Sequence, residues 1–174
     1  MSAADPETRA ITAEPLTAAA FAPFGRVIDT AGAAPRPMNA GMARRFHDLA
    51  AIEVVGEGGQ AVIGLVEAQP YALPLRLSLV ERHPLGAQAF VPLSAAPFLV
   101  VVCPDAEGGP GRPRAFVTAG GCQGVCYARG TWHGVLTPFG GRQDFVVIDR
   151  GGPGENLEEH VFAQPWTIHL PGRD

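Results

Sequence analysis

No stretch of this sequence reaches the apolar length of a membrane span, and Met1 to Ala10 lacks the basic-then-apolar order of a secretion signal, so a cytoplasmic location is expected. Charge is sparse. Only 17% of residues are charged, the formal net charge is −4, and no basic stripe or like-charge run is present, which excludes the usual electrostatic footprint of a nucleic-acid partner. Cysteine is rare and odd in number. Cys103, Cys122 and Cys126 cannot all pair within the chain, and a reducing compartment accounts for them. A zinc site at Cys122 and Cys126 would need two more thiol or imidazole ligands, which His133 alone does not supply. The three therefore read as small buried or half-exposed thiols. Repeats, linkers and low-complexity tracts are also missing. The 174 residues are expected to form one domain, 1–174, large enough to bury a core.

Long amphipathic patterns are scarce too. Residues 14 to 25 read as a short helical turn, with Thr17 as cap, the run Ala18-Ala-Ala-Phe21, and Pro23 and Gly25 closing it. Short β-rich runs dominate the remainder of the chain: Ile52–Val55, Ala61–Val66, Leu75–Glu81, Gln88–Leu93, Phe98–Cys103, Arg114–Val117, Gly124–Tyr127, Asp144–Asp149 and Thr167–Leu170. The chain's 22 Gly and 17 Pro supply the turns between them. An all-β antiparallel sandwich or barrel is expected, its sheet edges removed by curling or by a second subunit. Gly56-Glu-Gly58-Gly59 superficially resembles a dinucleotide fingerprint, but that motif needs a helix to open at once. The β-branched run to Val66 predicts a hairpin turn instead. Pro104 to Pro113 reads as a mobile excursion.

Two segments carry chemistry. They are Glu81-Arg-His83-Pro-Leu-Gly-Ala-Gln88 and Tyr127-Ala-Arg-Gly130-Thr-Trp132-His133. Residues two apart on a strand share a face, so Glu81 and His83 point to one side and Arg82 to the other. Pro84 and Gly86 then mark a turn that brings Gln88 close by. If the sheet closes, His133 joins them.

This arrangement resembles the two motifs of the cupin family. Glu81, His83 and Gln88 stand where the first motif has H-x-H and a following Glu, and Ala128-Arg-Gly130-Thr-Trp-His133 matches P-x-G-x-x-H with Ala for Pro. Such a set, Glu81, His83, Gln88 and His133, can ligate a divalent metal ion, with Gln a weaker ligand than a carboxylate. No organic cofactor is implied.

Over nearly the whole chain the sequence resembles the ureidoglycolate lyase family. The matching stretches include Phe21-Ala-Pro-Phe-Gly25, Met38-Asn39-Ala-Gly41, Arg45-Phe-His47-Asp-Leu49, Glu81-Arg-His-Pro-Leu-Gly86, Gln123-Gly-Val-Cys-Tyr127, Trp132-His133 and Ile148-Asp-Arg-Gly-Gly152. The resemblance implies an all-β, cupin-like barrel or jelly roll with a short N-terminal helix. It also implies a homodimer that cleaves (S)-ureidoglycolate to glyoxylate and urea in allantoin breakdown. His133 and Glu81 are then the expected proton-transfer pair, with His83 beside them. Arg45 is the first candidate to grip the substrate carboxylate, with Arg150 and Arg82 in reserve. Asn39, Gln88 and Tyr127 would bind the ureido group, and Trp132 would wall the pocket. Two other readings stay open: a cupin metal oxygenase or isomerase acting on another small acid, and a catalytically weak barrel that binds a small carboxylate.

Overall fold

The computed structural model describes residues 9–172, so the N-terminal stretch weighed as a secretion signal lies outside it except for its last two residues. The fold is all-β and cupin-like, built from an eight-stranded and a five-stranded sheet. The one α-helix among the described residues, Ala18–Phe21, begins where the sequence predicts it. Thr17 caps it by accepting a hydrogen bond from the Ala20 amide at 3.2 Å.

Barrel closure comes from a segment that hydrophobic patterning does not reveal. Ala10–Thr12 lies parallel to Thr167–His169 at one edge of the larger sheet, and Glu14–Pro15 lies parallel to Phe116–Val117 at the other. One short stretch of chain thus seams both edges. The sheet is therefore mixed at its seam rather than antiparallel throughout, because the N-terminal segment joins strands far from it in sequence and no hairpin dictates its direction.

Strand Phe98–Cys103 is buried on both faces, which explains its unbroken apolar sequence. Leu99, Val101 and Cys103 belong to a core with Leu75, Leu77, Trp132 and Ile168. Phe98, Val100 and Val102 face a second core with Phe21, Phe116, Val125, Tyr127 and Phe145, which bridges the two sheets. The five-stranded sheet runs in the order Gly25–Ile28, Gly124–Tyr127, Gln88–Pro92, Gln143–Gly151, Gln60–Ala68.

Three expectations are corrected. Ile52–Val55 is not a strand: Val54 makes one isolated bridge to Gly86, and the segment's backbone–backbone hydrogen bonds go to the Leu85–Ala87 turn. Gly56–Gly59 is a turn, followed by a strand and not by a helix, but it does not close a hairpin, since Gln60–Ala68 pairs with Gln143–Gly151. Pro104–Pro113 is not a loose excursion, because Asp105–Ala106 and Gly109–Pro110 form a small ribbon tied by the Gly111 amide to the Pro104 carbonyl. The last strand also reaches further back than expected. It spans Glu158–His169 and slips register between Val161 and Trp166, where Pro165 cannot donate to the ladder.

Gly25 decides how closely two strands of the smaller sheet approach. It has φ +149° and sits opposite Tyr127, and a Cβ there would stand 2.0 Å from the Cys126 carbonyl oxygen. No side chain fits without separating these strands. Gly25→Ala should therefore cost about 2 kcal/mol or more of stability, measured by chemical denaturation. An unchanged midpoint would show that the two strands are not so tightly apposed.

Candidate active site

The larger sheet places the chemistry on one face by register. His133 lies in a two-residue strand, Trp132–His133, directly opposite Glu81 on one side and Val102 on the other. Val102 belongs to the core that bridges the sheets, so Glu81 and His133 face that same space. His83 stands two residues after Glu81 and joins them. The ligating atoms of Glu81, His83 and His133 all lie within 4.8 Å of one another. Period-2 alternation and a closed sheet predict that these three meet; Gln88, the fourth member of the expected set, lies on the smaller sheet opposite Tyr127.

Hydrogen bonds to backbone fix both imidazoles. His83 Nδ1 lies 2.7 Å from the Asn156 carbonyl oxygen, and His133 Nδ1 lies 2.9 Å from that of Thr131. A carbonyl only accepts, so each Nδ1 carries the proton and each Nε2 presents a lone pair when the ring is neutral. Both Nε2 atoms are buried and make no hydrogen bond among the described residues. They stand 3.7 Å (His83) and 3.5 Å (His133) from Glu81 Oε1, close approaches that stop short of formed hydrogen bonds.

Electrostatics assign the protonation of two neighbours. The approach of His133 is the largest influence on Glu81 and, with His83 beside it, holds the carboxyl below its usual range against the opposing effect of burial. Burial, reinforced by the Glu81 carboxylate, pushes the Tyr127 hydroxyl well above its usual range, so Tyr127 stays a neutral donor. The Tyr127 ring stacks on His133 at 4.3 Å between centroids and 12° between planes, which holds the imidazole from the side. Gln88 pairs with Tyr127 across the smaller sheet and is half-buried beside it.

The remaining candidates go elsewhere. Trp132 does not wall this space: strand alternation sends it to the opposite core, where its Nε1–H donates to Asp105 at 3.1 Å. The Arg82 guanidinium lies over its ring at 4.4 Å and pairs with Asp105 and Glu158. Arg150 is buried, and it donates to the carbonyls of Val55, Gly152 and Pro153, so it ties turns together instead of waiting for a ligand. Asn39 and Arg45 are exposed on a separate ribbon formed by Arg36–Met38 and Ala43–Arg45. None of these five joins the cluster in the described chain.

The donor set fits a divalent metal ion. Two neutral imidazoles held by Nδ1–H bonds and one ionised carboxylate, with the Nε2 atoms unpaired, are the arrangement that zinc and related ions use. The cysteines do not compete, since all three are free thiols and burial raises Cys103 to about 12 and Cys126 to about 11. Sequence reasoning missed the two carbonyls that orient the imidazoles, at Asn156 and Thr131. A backbone oxygen leaves no local signal, and Gly152-Pro-Gly-Glu-Asn156 reads only as a turn.

Two cavities lie near this cluster but are lined by other residues. One of about 490 Å³ includes Arg26, Glu53, Cys126 and Arg129, and one of about 340 Å³ includes Arg82, Asp105 and Trp132. The cluster itself reaches solvent through Glu81, whose side chain is 31% exposed against 3% for His133.

Comparison with known proteins identifies what this chain is similar to. The family model described as ureidoglycolate lyase matches residues 8–169. A ureidoglycolate lyase of Chelativorans sp. (strain BNC1) is 59% identical over 165 residues, covering 95% of this chain and 99% of that protein. One of Mesorhizobium japonicum is 58% identical, covering 92% and 98% respectively, and a ureidoglycolate lyase 2 of Rhizobium meliloti is 53% identical, covering 88% and 94%.

These placements have two measurable outcomes. Arg150→Ala removes a buried cation's hydrogen bonds to the Val55, Gly152 and Pro153 carbonyls and should lower stability by about 3 kcal/mol while KM stays unchanged; a raised KM with normal stability would return Arg150 to the substrate. Glu81 has a lowered pKa in the folded chain, so its stabilising effect is complete above the ordinary value of 4.5 and fades as pH falls through the lower folded value. Denaturation curves of the wild type and Glu81→Gln should therefore converge in that acid window. A gap that persists below it would mean that the carboxylate's charge is not what His133 senses.

Proposed function

Given that the chain belongs to the ureidoglycolate lyase family, we propose that it cleaves (S)-ureidoglycolate to glyoxylate and urea at Glu81, His83 and His133, within a single domain spanning 1–174. The observation that supports this reading is the pair of buried, unpaired Nε2 atoms converging on an ionised carboxylate. The substrate carries a carboxylate, a hydroxyl and a ureido nitrogen on one carbon. Its cleavage needs one proton removed and another delivered.

Glu81, ionised and partly exposed, takes the hydroxyl proton. The O–H electron pair becomes the carbonyl of glyoxylate, and the carbon–nitrogen bond breaks. Protonated His133 delivers its Nε2 proton to the departing nitrogen, which leaves as urea, and the proton on Glu81 then restores the imidazolium. His133 suits this task because Thr131 holds its other nitrogen and Tyr127 holds its ring. Tyr127 and Gln88 are assigned to the ureido group. With Arg82 and Arg150 engaged elsewhere, Arg45 is the cation left for the carboxylate, and it would have to reach the cluster from the exposed ribbon that also carries Asn39.

In the alternative in which the cluster holds a divalent ion, His83 and His133 would ligate it through neutral Nε2 and Glu81 through a carboxylate oxygen; the ion would then supply Lewis-acid chemistry that makes the hydroxyl easier to ionise, in place of proton transfer by His133. The homodimer implied by the resemblance is part of the same reading. It is supported by Ile63 and Leu65, 78% and 74% exposed on the edge strand Gln60–Ala68. The free thiols fit a cytoplasmic location, and no helix among the described residues is long and apolar enough to cross a membrane.

Incubation with racemic ureidoglycolate, with urea and ammonia measured separately and with or without chelator, tests the reaction. Urea with glyoxylate is expected; ammonia release would require amide hydrolysis and would overturn the proposal. Loss of urea on chelation would assign the ion an obligatory part. His133→Ala should lower kcat by about 10² to 10⁴, and near-normal turnover would remove His133 from proton transfer.

A further inference from the structure

The turn that carries His83 is held by a residue more than seventy positions away. Strand Leu75–Arg82 pairs with the last strand through Arg82 opposite Glu158, and continuing that ladder would set Pro84 near Asn156. Pro84 has no amide hydrogen, so the ladder cannot continue there. Asn156 takes its place from both ends. Its side-chain Oδ1 accepts from the Leu85 amide at 2.8 Å, and its main-chain oxygen accepts from His83 Nδ1 at 2.7 Å. One residue thus grips the turn on either side of Pro84.

The segment that presents Asn156 is itself anchored. The buried Arg150 donates to the Gly152 and Pro153 carbonyls, and also to that of Val55 in the segment before the Gly56–Gly59 turn. Gly154 lies against Leu85, where a Cβ would meet Leu85 Cδ1 at 2.9 Å. Arg150, the glycine-rich turn and Asn156 therefore form one strap over the Pro84–Leu85 turn.

We propose that Asn156 is a positioning residue of the active site, whose side chain fixes the His83 imidazole as its Nδ1–H tautomer with Nε2 aimed at Glu81. The inference rests on the function proposed for this cluster, but the side chain's part in orienting His83 can be read without substrate. Losing the Oδ1 acceptor frees the Leu85 amide, lets the turn and the 154–156 segment move apart, and releases the carbonyl that holds Nδ1. His83 then loses its preferred tautomer, although neither His83 nor Glu81 has been altered. Partners of this kind around a functional histidine typically matter by about 10- to 100-fold in activity or metal affinity.

The test uses the full-length protein, labelled with ¹⁵N at histidine, with the His83 signals assigned by their loss in His83→Gln. In chelator-treated wild type, His83 is expected as the Nδ1–H tautomer. In Asn156→Ala it is expected as a mixture, with kcat reduced about 10- to 100-fold and the thermal midpoint little changed. Asn156→Asp, which keeps the oxygen acceptor, should restore both the tautomer and most of the turnover. A wild-type His83 protonated at Nε2 would overturn the inference whether or not any variant folds. So would Asn156→Ala with an unchanged tautomer and kcat, or failure of Asn156→Asp to restore a tautomer that Asn156→Ala had lost. Ordered His83 in a protein that releases no urea would reject the lyase reaction alone, and urea release with a mixed wild-type tautomer would reject the positioning role alone.

Discussion

Two imidazoles committed to backbone carbonyls are the constraint around which the site is organised. Each Nδ1–H bond, His83 to Asn156 and His133 to Thr131, commits one ring nitrogen and thereby defines the other. The result is a pair of buried Nε2 atoms with no hydrogen-bond partner among the described residues, beside one carboxylate. Leaving a buried polar atom unpaired costs about 1 to 3 kcal/mol, a penalty that an apolar filling would have avoided. Such a cost persists where the unpaired atoms have work to do, as proton carriers or as ligands.

The rest of the barrel keeps that pair aligned by using both faces of the same strands. Glu81 and His133 face the space between the sheets, while their neighbours Arg82 and Trp132 stack on the other side and are tied to Asp105. The Trp132–His133 strand is only two residues long, so its ladder alone would leave it loosely held. The stacked and charged contacts behind it, together with the Tyr127 ring laid on His133 in front, supply the restraint. The N-terminal seam acts at a larger scale by pairing with both edges of the sheet that carries these strands.

Hydrophobic pattern made much of this legible. Strands such as Phe98–Cys103, Arg114–Val117 and Gly124–Tyr127 occur with the bounds their sequences suggest, because burial on one or both faces leaves a strong local signature. Ala10–Thr12, Glu14–Pro15 and Trp132–His133 were not legible, since strands of two or three residues have no period to detect and exist through their distant partners. Glu81 and His83 could be placed on one face by counting, and His133 joined them through motif resemblance. Arg150, Arg82 and Trp132 had suitable chemistry but are committed to a turn or to the opposite core, for side-chain type does not say which core or turn a residue faces. The residue that orients His83 was invisible because its direct contact is a carbonyl that every residue possesses.

Substrate chemistry at Glu81 and His133, between the sheets, is the claim on which the proposed reaction stands. A crystal structure of the protein with glyoxylate and urea tests it most directly. The glyoxylate carbonyl carbon is expected against the Glu81 carboxylate, with urea within reach of His133 Nε2. Both products seated instead in the 490 Å³ cavity lined by Arg26, Glu53 and Arg129, with Glu81 and His133 untouched, would contradict it.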